Sequence, residues 1–417
     1  VLEARDRVGG RVWTKDVDGI PIDIGGTWLG PGQDFVYDLV KELGLSTYAT
    51  HTAGETVFVH GHDVQRYKGQ VPKLNPITVA SLGLGMARLD RMAKKVPLDE
   101  PWVGSRAPRW DGRSMADWIR ANVPEKTSAA LLGAIVRGLM TCDPSEVSLL
   151  HMLYLVQSAR GLNRLLSIEG GYQQDMVKGG AQSMANIMAD ELGPSVRLSS
   201  PVRAIHHDDR SVVVESDGVT VRAGHAIVAT PPALAHKIDF TPGLPIDRAQ
   251  VLQRMPAGCV LKTVVVYDRA FWRDEGLRGE TVALGSSIES TLDASPPAGT
   301  PGELCALAFG PMARRLTELG ADARRDHVLG ELTVRFGPKA RHPRHYVEVD
   351  WAQEQWSEGC YLAHLPPGVL TQYGHVLRAP AGRIHWAGTE TATVSHGSID
   401  GAIRSGVRAA QEILATN

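Results

Sequence analysis

Acidic, basic and glycine residues stand close together at the start of the chain, at a spacing suited to a bound dinucleotide. Glu3 follows two apolar residues and is followed by Ala4 and Arg5. In a dinucleotide-binding βαβ unit, an acidic residue ends the second strand and accepts hydrogen bonds from the ribose hydroxyls. The glycine pair that ends at Gly10 lets the backbone pass close to a ligand, and Arg5 and Arg11 can donate to phosphate. The alternative is a glycine turn between strands with two solvated arginines.

The position of Glu3 has a consequence for the rest of such a unit. The acidic residue lies ~20 residues after a glycine-rich turn, which itself follows a strand. We therefore expect roughly 30 residues upstream of Val1, containing an apolar strand, a G-x-G-x-x-G turn and the helix that holds the pyrophosphate. On this expectation the sequence is a fragment.

A second glycine-containing segment follows soon after the first. Gly25 and Gly26 come directly after an apolar strand pattern and precede Thr27 and Trp28. Two adjacent glycines after a strand allow the backbone to approach a flat ring closely. A glycine-rich surface loop is the alternative.

The segment Trp386–Ile403 contains a strand, a turn of small residues and the start of a helix, in that order. Free N–H groups and the helix dipole at such a helix start form a site for an anion. Gly401, Ala402 and Gly406 keep the first turns of the helix narrow enough for a cofactor or a strand to pack on them. Ordinary packing of a helix on a strand is the alternative.

Lys262 interrupts an apolar run at residues 260–267. Strand alternation places it on the same face as Val260, Val264 and Val266. Lysine is almost never buried without a partner, so its ammonium should meet water, a carboxylate or a cofactor. A lysine that reaches solvent from near a strand end is the alternative.

Two motifs make the chain resemble the flavin-containing amine oxidases, the family of the mitochondrial monoamine oxidases and bacterial amine oxidases. Residues 3–11 read E-A-R-D-R-V-G-G-R, which is similar to the family's segment after the second strand. Residues 357–361 read S-E-G-C-Y, which resembles the S-G-G-C-Y segment of monoamine oxidases. The resemblance extends over residues 1–414, with its motifs in the family's order.

The resemblance implies FAD as the cofactor. In the family, the segment at residues 25–28 lies against the flavin, and the backbone at Pro201-Val202 contacts adenine. The G-T-E-T turn meets the pyrophosphate and ribityl chain, and the start of the last helix meets the pyrimidine edge of the flavin. The implied cofactor contacts are Glu3, Ala4, Arg5, Gly10, Arg11, Gly25, Gly26, Thr27, Trp28, Val202, Cys360, Gly388, Thr389, Glu390, Ser398, Ile399 and Ala402.

The resemblance also implies three catalytic residues. Lys262 aligns with a lysine that reaches flavin N5 through a water, and Tyr361 aligns with one wall of an aromatic cage for the amine. Cys360 aligns with a cysteine that forms a thioether to the flavin 8α-methyl group, although a buried, inert cysteine is the ordinary alternative. Trp351, in the segment before the flavin, is the third candidate, with a core tryptophan as the alternative.

The substrate cavity departs from the family pattern at one position. The second cage aromatic aligns with Ser398, and His396 or Trp351 are candidates to replace it. The residues that align with the family's cavity lining are Leu139, Met140, Leu165, Leu166 and Gln173. Because most of these are apolar, we expect a primary or secondary monoamine with an apolar body. A preference for a diamine would instead implicate Glu169 or Glu289.

The elements that must position these residues follow from hydrophobic periodicity and turn signals. Helices are predicted at Asp34–Leu43, Ser114–Asn122, Ser128–Met140, Ser183–Leu192 and Ile399–Leu414. Strands are predicted at Val196–Leu198, Val202–His206, Val212–Glu215, Val219–Arg222, Ala226–Thr230 and Arg383–Gly388, with the run at 226–230 buried in a sheet core.

The family layout then predicts an α/β protein with two interleaved domains. A discontinuous, Rossmann-like FAD-binding domain of the monoamine oxidase type would comprise residues 1–48, 178–251 and 354–417. An α+β substrate-binding domain would comprise residues 49–177 and 252–353. Composition alone does not show this interleaving.

Composition limits the remaining classes of function. The 417 residues carry a formal net charge of -2, so there is no electrostatic case for binding nucleic acid or an anionic membrane. The four cysteines are widely spaced without a C-x-x-C pair, which argues against a zinc site or a disulfide framework. No apolar run reaches the length of a membrane span. We expect a soluble cytoplasmic protein without a metal or a membrane anchor. A homodimer is one oligomeric state that we consider.

The sequence therefore predicts a flavin-dependent amine oxidase. Hydride equivalents would leave the carbon next to an amine for flavin N5, and dioxygen would be reduced to hydrogen peroxide. The imine would hydrolyse to an aldehyde and ammonia. Two alternatives are a related FAD-dependent desaturase or dehydrogenase, which needs neither Lys262 nor the cage, and a truncated, flavin-free pseudoenzyme.

Overall fold

The computed structural model describes residues 1–61, 63–69 and 72–415. Residues 62, 70, 71, 416 and 417, which the predicted domains include, lie outside the described residues. The helices are α1 (Asp34–Glu42), α2 (Pro76–Ala93), α3 (Ala107–Asp111), α4 (Met115–Asn122), α5 (Lys126–Met140), α6 (Leu149–Ser158), α7 (Leu162–Leu166), α8 (Ser183–Leu192), α9 (Pro232–Ala235), α10 (Ile246–Gln253), α11 (Phe271–Asp274), α12 (Pro311–Thr317), α13 (Ala321–Phe336), α14 (Val369–Tyr373) and α15 (Ile399–Leu414).

The strands are β1 (Thr14–Val17), β2 (Ile20–Asp23), β3 (Trp28–Leu29), β4 (Thr47–Ala49), β5 (Glu55–His60), β6 (Asp63–Tyr67), β7 (Asp175–Val177), β8 (Val202–His207), β9 (Val212–Ser216), β10 (Val219–Ala223), β11 (Ala226–Val228), β12 (Asp239–Thr241), β13 (Val260–Tyr267), β14 (Leu277–Leu284), β15 (Ser290–Asp293), β16 (Gly302–Phe309), β17 (His345–Asp350) and β18 (Ile384–Trp386).

The largest sheet in the described part of the chain has seven strands in the order β17-β13-β16-β15-β14-β5-β6. β13 lies between β16 and β17 and is antiparallel to both. Apolar side chains of α12 and α13 pack on this sheet in one buried cluster that includes Leu316, Val328 and Phe336. A second, helical core is formed mainly by α2 to α7. The strand that carries Lys262 is therefore an interior strand, hydrogen-bonded to a neighbour on each side.

Smaller sheets bring distant parts of the chain together. A four-stranded sheet has the order β10-β9-β8-β12, and β11 pairs in parallel with β18. Leu2 forms a parallel bridge with Arg197. The start, middle and end of the chain thus meet on one side of the molecule, and the proposed domain boundaries stay a prediction.

The predicted helices are present, and α8 and α15 have the predicted bounds. The predicted hairpin is formed by β9 and β10 around Asp217-Gly218. The amphipathic pattern of α1 also holds, since Val36 and Val40 are buried. Each of these elements has strong local signals, which is why periodicity located them.

Two strand predictions need correction. Val196–Leu198 is not a strand: the chain leaves α8 through a 3-10 turn, and Ser199 has a φ of 49°, so only the single bridge at Arg197 forms. The run at 226–230 forms the short strand β11, and Ile227 is 41% exposed rather than buried in a sheet core. Among the described residues β11 has β18 as its only strand neighbour, so its other edge is not covered by a strand.

No helix in the described part of the chain is long and apolar enough to cross a bilayer.

Gly258, just before β13, packs tightly against the segment that contains Cys360. Its carbonyl accepts a hydrogen bond from the Cys360 N–H at 3.0 Å, and its N–H donates to Leu362 O at 3.2 Å. Thr141 closes the same junction, donating from Oγ1 to Cys360 O at 2.7 Å. A Cβ added at Gly258 would lie 1.6 Å from Thr141 Oγ1 and 2.6 Å from Cys360 O. The two segments can therefore pack this closely only because residue 258 has no side chain.

Gly258→Ala should destabilise the protein by about 1–3 kcal/mol, because the added methyl group forces the junction apart. The measurement is the free energy of unfolding in urea, followed by circular dichroism. Gly224→Ala is the matched control, since a Cβ there would meet no atom within 4 Å. Equal unfolding free energies for the two variants would contradict the tight packing.

Candidate active site

The predicted site residues converge on a cavity of about 1090 Å³. This volume exceeds the ~300–1,000 Å³ of typical small-molecule sites, so the cavity can hold more than one small ligand. The predicted residues that line it are Glu3, Ala4, Arg5, Gly10, Arg11, Gly25, Gly26, Thr27, Trp28, Leu139, Leu165, Leu166, Gln173, Val202, Lys262, Trp351, Cys360, Tyr361, Gly388, Thr389, Ser398, Ile399 and Ala402. Met140 and Glu390 are not among its lining residues.

The placement of Met140 corrects the predicted substrate lining. Its side chain is fully buried in the helical core. Neighbouring residues on an α-helix point about 100° apart, and here Leu139 faces the cavity whereas Met140 packs in the helical core. Leu139 takes the cavity side of α5.

Glu390 holds another residue of the site in place instead of lining the cavity. Arg11 donates from Nη1 to Oε1 of Glu390 at 2.6 Å and from Nη2 to Oε2 at 2.9 Å. Nη1 also donates to Tyr361 O at 2.8 Å, and the Ala363 N–H donates to Glu390 Oε1 at 3.0 Å. Burial raises the pKa of Glu390, but Arg11 and the hydrogen bonds outweigh it, so the pKa lies below its ordinary value.

Arg5 connects the first segment to the one before Cys360. The Arg5 N–H donates to Glu3 Oε1 at 2.9 Å. Its Nη2 donates to Glu354 Oε2 at 2.5 Å and to Ser357 Oγ at 2.7 Å, while its buried Nε has no hydrogen-bond partner. Most of the Arg5 guanidinium is thus engaged by protein, which leaves Nε for a ligand.

Lys262 is buried with only 4% of its surface exposed, as its place in an apolar strand predicts. Its Nζ donates to Gly25 O at 2.9 Å and to Thr27 Oγ1 at 2.6 Å. The same ammonium lies 5.1 Å from the centre of the Trp28 ring, within the range of a cation–π contact. The glycine segment at residues 25–28 and the interior strand β13 therefore meet at this charge.

Trp351 and Cys360 form part of one buried cluster beside Lys262. Trp351 Nε1 donates to Ile24 O at 3.0 Å, so the tryptophan is both a core residue and part of the cavity wall. Burial raises the pKa of Cys360 to about 12, against the opposing influence of Arg11 and Lys262. Its thiol is therefore protonated at neutral pH. Tyr361 packs edge-on against Phe309, with ring centres 6.2 Å apart.

Ser398, where the family has its second cage aromatic, caps helix α15. Its Oγ accepts from the Gly401 N–H at 3.1 Å and donates to Ser395 O at 2.6 Å. Beside it, the buried ring of His396 lines the cavity. His396 and Trp351 both remain candidates for the second wall.

The protonation of His396 follows from a chain of hydrogen bonds. The Leu365 N–H donates to His151 Nδ1 at 2.9 Å, so the proton of neutral His151 is on Nε2. That nitrogen lies 3.2 Å from His396 Nε2, which must accept, and His396 Nδ1 then donates to Ala392 O. Burial lowers the pKa of His396 to about 4 and holds the pKa of His151 well below its ordinary value. The cavity wall here is an uncharged imidazole.

The other end of the cavity contains charged residues that the sequence analysis missed. Arg278 and Glu280, on β14, form an ion pair in its wall, and Tyr67 lines the wall nearby. Glu169 and Glu289, which the sequence analysis named as the residues a diamine would implicate, also line the cavity, and Glu169 is exposed. The sequence of β14 did carry a signal, because strand alternation places residues 278 and 280 on one face. In the structure, half-buried and buried residues alternate along this strand.

Comparisons with known proteins agree with this geometry. The family model described as flavin containing amine oxidoreductase matches residues 1–414. A Mycobacterium tuberculosis protein, provisionally named flavin-containing monoamine oxidase AofH, is 39% identical over 415 residues, which cover 100% of this chain and 91% of that protein.

Solved structures of two amine oxidases are also similar. Putrescine oxidase bound to putrescine has a TM-score of 0.96 and 32% identity, covering 99% of this chain and 93% of that chain. Cyclohexylamine oxidase from Brevibacterium oxydans has the same TM-score and identity, covering 100% and 93%. The predicted α/β fold of the amine oxidase type is confirmed.

Glu390→Gln should lower the free energy of unfolding at neutral pH by about 3–5 kcal/mol, because it leaves Arg11 without its counter-ion. Since the folded-state pKa of Glu390 is depressed, its contribution is complete above about pH 4.3, the value for an unfolded chain, and is lost as the pH falls toward the folded-state pKa. Urea unfolding of both proteins at neutral and acidic pH measures this difference.

The control is Asp217→Asn, which breaks an exposed pair with Arg203 in which both side chains are more than half exposed. That variant should unfold like the wild type. A Glu390→Gln deficit that stayed constant down to acidic pH would contradict the assigned ion pair.

Proposed function

The chain belongs to the flavin-containing amine oxidoreductase family and is a flavin-dependent amine oxidase, and we propose that its substrates are primary or secondary monoamines with an apolar body. The observation that supports an oxidase most directly is the buried ammonium of Lys262, held against the glycine segment of the cavity. A desaturase or dehydrogenase would not need this costly buried charge. The proposed products are an imine, which hydrolyses to an aldehyde, and hydrogen peroxide.

The residues of one half of the cavity fit FAD. A Cβ at Gly25 would lie 2.4 Å from Arg11 O, so the segments that carry Gly25 and Arg11 pack directly on each other, and both line the cavity. Two buried nitrogen atoms, Arg5 Nε and Trp28 Nε1, have no hydrogen-bond partner in the protein and can donate to a ligand. The N-terminus of α15 adds a positive dipole end beside Ser398. Bound FAD would supply the acceptor for hydride from the carbon next to the amine and would pass electrons to dioxygen.

The protein's own groups orient the amine and place charge. Lys262 would stabilise the negative charge that develops on dioxygen as it is reduced, without reorganising, because its hydrogen bonds already fix it. Tyr361 would be one wall of the amine site, and uncharged His396 or Trp351 the other. A neutral wall suits the neutral amine that must lose hydride, since it adds no repelling or competing charge.

The polar end of the cavity supports a monoamine over a diamine. Arg137 donates to Glu289, and Arg278 pairs with Glu280, so neither buried carboxylate is an uncompensated anion. A second ammonium at either of these pairs would lack a free counter-charge. Glu169, which also lines the cavity, is exposed to solvent and accepts a hydrogen bond from Thr52. Leu139, Leu165 and Leu166 provide apolar contact area between that end and the rest of the cavity.

All four cysteines are free, which supports the proposed cytoplasmic location, since a reducing compartment keeps thiols unpaired. Homodimer formation stays a prediction. Within the described residues, no three histidine, cysteine, aspartate or glutamate side chains converge as metal ligands do.

Lys262→Met should slow flavin reoxidation by dioxygen ~10²–10³-fold, as loss of one preorganised electrostatic contact does, and should slow anaerobic reduction by a monoamine far less. Stopped-flow absorbance of both half-reactions in the holoprotein measures the two rates. Lys339→Met is the control, because Lys339 is 63% exposed and lies outside the cavity lining.

Equal slowing of the two half-reactions would assign Lys262 to positioning or folding. A wild-type flavin that no monoamine reduces, while diamines do, would contradict the proposed substrate class.

We further propose that Cys360 carries FAD through a thioether to its 8α-methyl group. Cys360 lines the cavity, 6% exposed, in the segment that resembles the family's attachment site. Acid denaturation of the wild-type holoprotein should leave the yellow colour in the protein pellet, whereas Cys360→Ala should release it to the supernatant. Cys305→Ala, at a fully buried thiol outside the lining, should behave as the wild type. Complete release from the wild type would rule out covalent attachment.

A further inference from the structure

The carboxylate of Glu289 is paired through one oxygen and unpaired at the other. Its side chain is 5% exposed. Arg137 donates to Oε1 twice, from Nε at 2.7 Å and from Nη2 at 2.6 Å. The second oxygen, Oε2, is buried and makes no well-formed hydrogen bond in the protein. Burial raises the pKa of this carboxyl overall and outweighs Arg137 and the nearby Phe309 N–H, which lower it. Because Glu289 lines the cavity and Arg137 does not, the cavity is where a donor for Oε2 would come from.

The backbone fixes this carboxylate firmly in the wall. Glu289 immediately precedes β15, and its N–H donates to Leu307 O at 3.0 Å. Its own carbonyl accepts from the Ala283 N–H at 2.9 Å. These two bonds hold Glu289 between β14 and β16, so its side chain cannot leave the wall by a simple loop movement.

An apolar stretch separates Glu289 from the amine end of the cavity. Leu307 and Phe309, on β16, line the cavity, and the ring of Phe309 packs on that of Tyr361. Leu292 lines the same side. A substrate bound at Tyr361 would pass these side chains before it reached the carboxylate. Such a substrate would have a polar end, an apolar middle and a second polar end.

The state of the carboxylate selects the kind of donor. A buried acceptor without a hydrogen-bond donor costs free energy, so a ligand that donates a hydrogen bond to Oε2 binds more tightly. Arg137 already balances the charge of Glu289, and a second ammonium would leave one positive charge uncompensated in a buried site. An uncharged donor satisfies Oε2 without that penalty.

We propose that Glu289 Oε2 accepts a hydrogen bond from an uncharged donor, such as a hydroxyl group, at the far end of the amine substrate. The preferred substrates are then amino alcohols, ahead of alkylamines of the same length and of diamines. This inference rests on the proposed function, because it names a finer substrate class for the same cavity.

The test is a matched series with four to six carbons in each chain: the 1-aminoalkane, the ω-amino-1-alcohol and the α,ω-diamine. The rate of anaerobic flavin reduction per unit amine concentration is measured by stopped flow for each compound. In the wild-type holoprotein, the best amino alcohol should exceed the alkylamine of equal length ~10-fold, as expected for a hydrogen bond to a charged group. The diamine should be the poorest of the three.

Two variants separate the hydrogen bond from the charge. The double variant Arg137→Met with Glu289→Leu removes the acceptor without leaving a lone buried charge, and it should abolish the preference for the alcohol. Arg137→Met alone leaves an unpaired carboxylate, and the diamine should then overtake the alkylamine.

Arg324→Met is the matched control. Arg324 donates from Nε at 2.9 Å and from Nη2 at 2.5 Å to the single oxygen Oε1 of Glu348, the same geometry as the pair at Glu289. Neither residue lines the cavity. This variant should keep the wild-type order of substrates, so a change of order at Arg137 is not a general effect of losing a buried ion pair.

Equal rates for alcohol and alkylamine at every length in the wild type would overturn the inference, as would a diamine that is best in the wild type. The wild-type series decides the question even if a variant fails to fold. Absence of flavin reduction by every amine would overturn the proposed function and this inference with it, whereas reduction without discrimination overturns the inference alone.

Discussion

The site depends on a positive charge buried on an interior strand of a sheet. An ammonium in that position is stable only where hydrogen-bond acceptors surround it. Gly25 O and Thr27 Oγ1 supply them, and the face of Trp28 adds a cation–π contact. The loop at residues 25–28 is consequently held against β13, although more than 230 residues separate the two in sequence.

An ion pair between Arg11 and Glu390 extends this arrangement to the other segments. Arg11 binds both Glu390 and the carbonyl of Tyr361, so one guanidinium ties the first segment to the segment around Cys360 and to the turn before α15. The segment before β13 packs closely on Cys360 because Gly258 has no side chain. Because each of these contacts is buried, we expect the loss of one to displace the segments that it joins. The position of the cavity wall therefore depends on charges and close contacts more than on any one helix.

The sequence predicted the parts of the site that have local signals. Glycine pairs, a lysine in an apolar strand and the segment at residues 357–361 each stand out in the linear text, and all line one cavity in the fold. Helix phase was harder: Leu139 faces the cavity while Met140 faces the core, a distinction that depends on tertiary packing. Glu390 stood in the right motif, but only the fold shows that it binds Arg11. The pairing of Glu289 with Arg137 spans 152 residues, and no pattern in either segment indicates it.

We propose that Lys262 holds the glycine segment where the flavin ring binds. A crystal structure of the holoprotein tests it most directly. We expect flavin density against residues 25–28, with Lys262 Nζ still bonded to Gly25 O and Thr27 Oγ1 and facing the flavin N5 edge. A flavin ring bound elsewhere in the cavity, or a Lys262 side chain turned away from both acceptors, would contradict it.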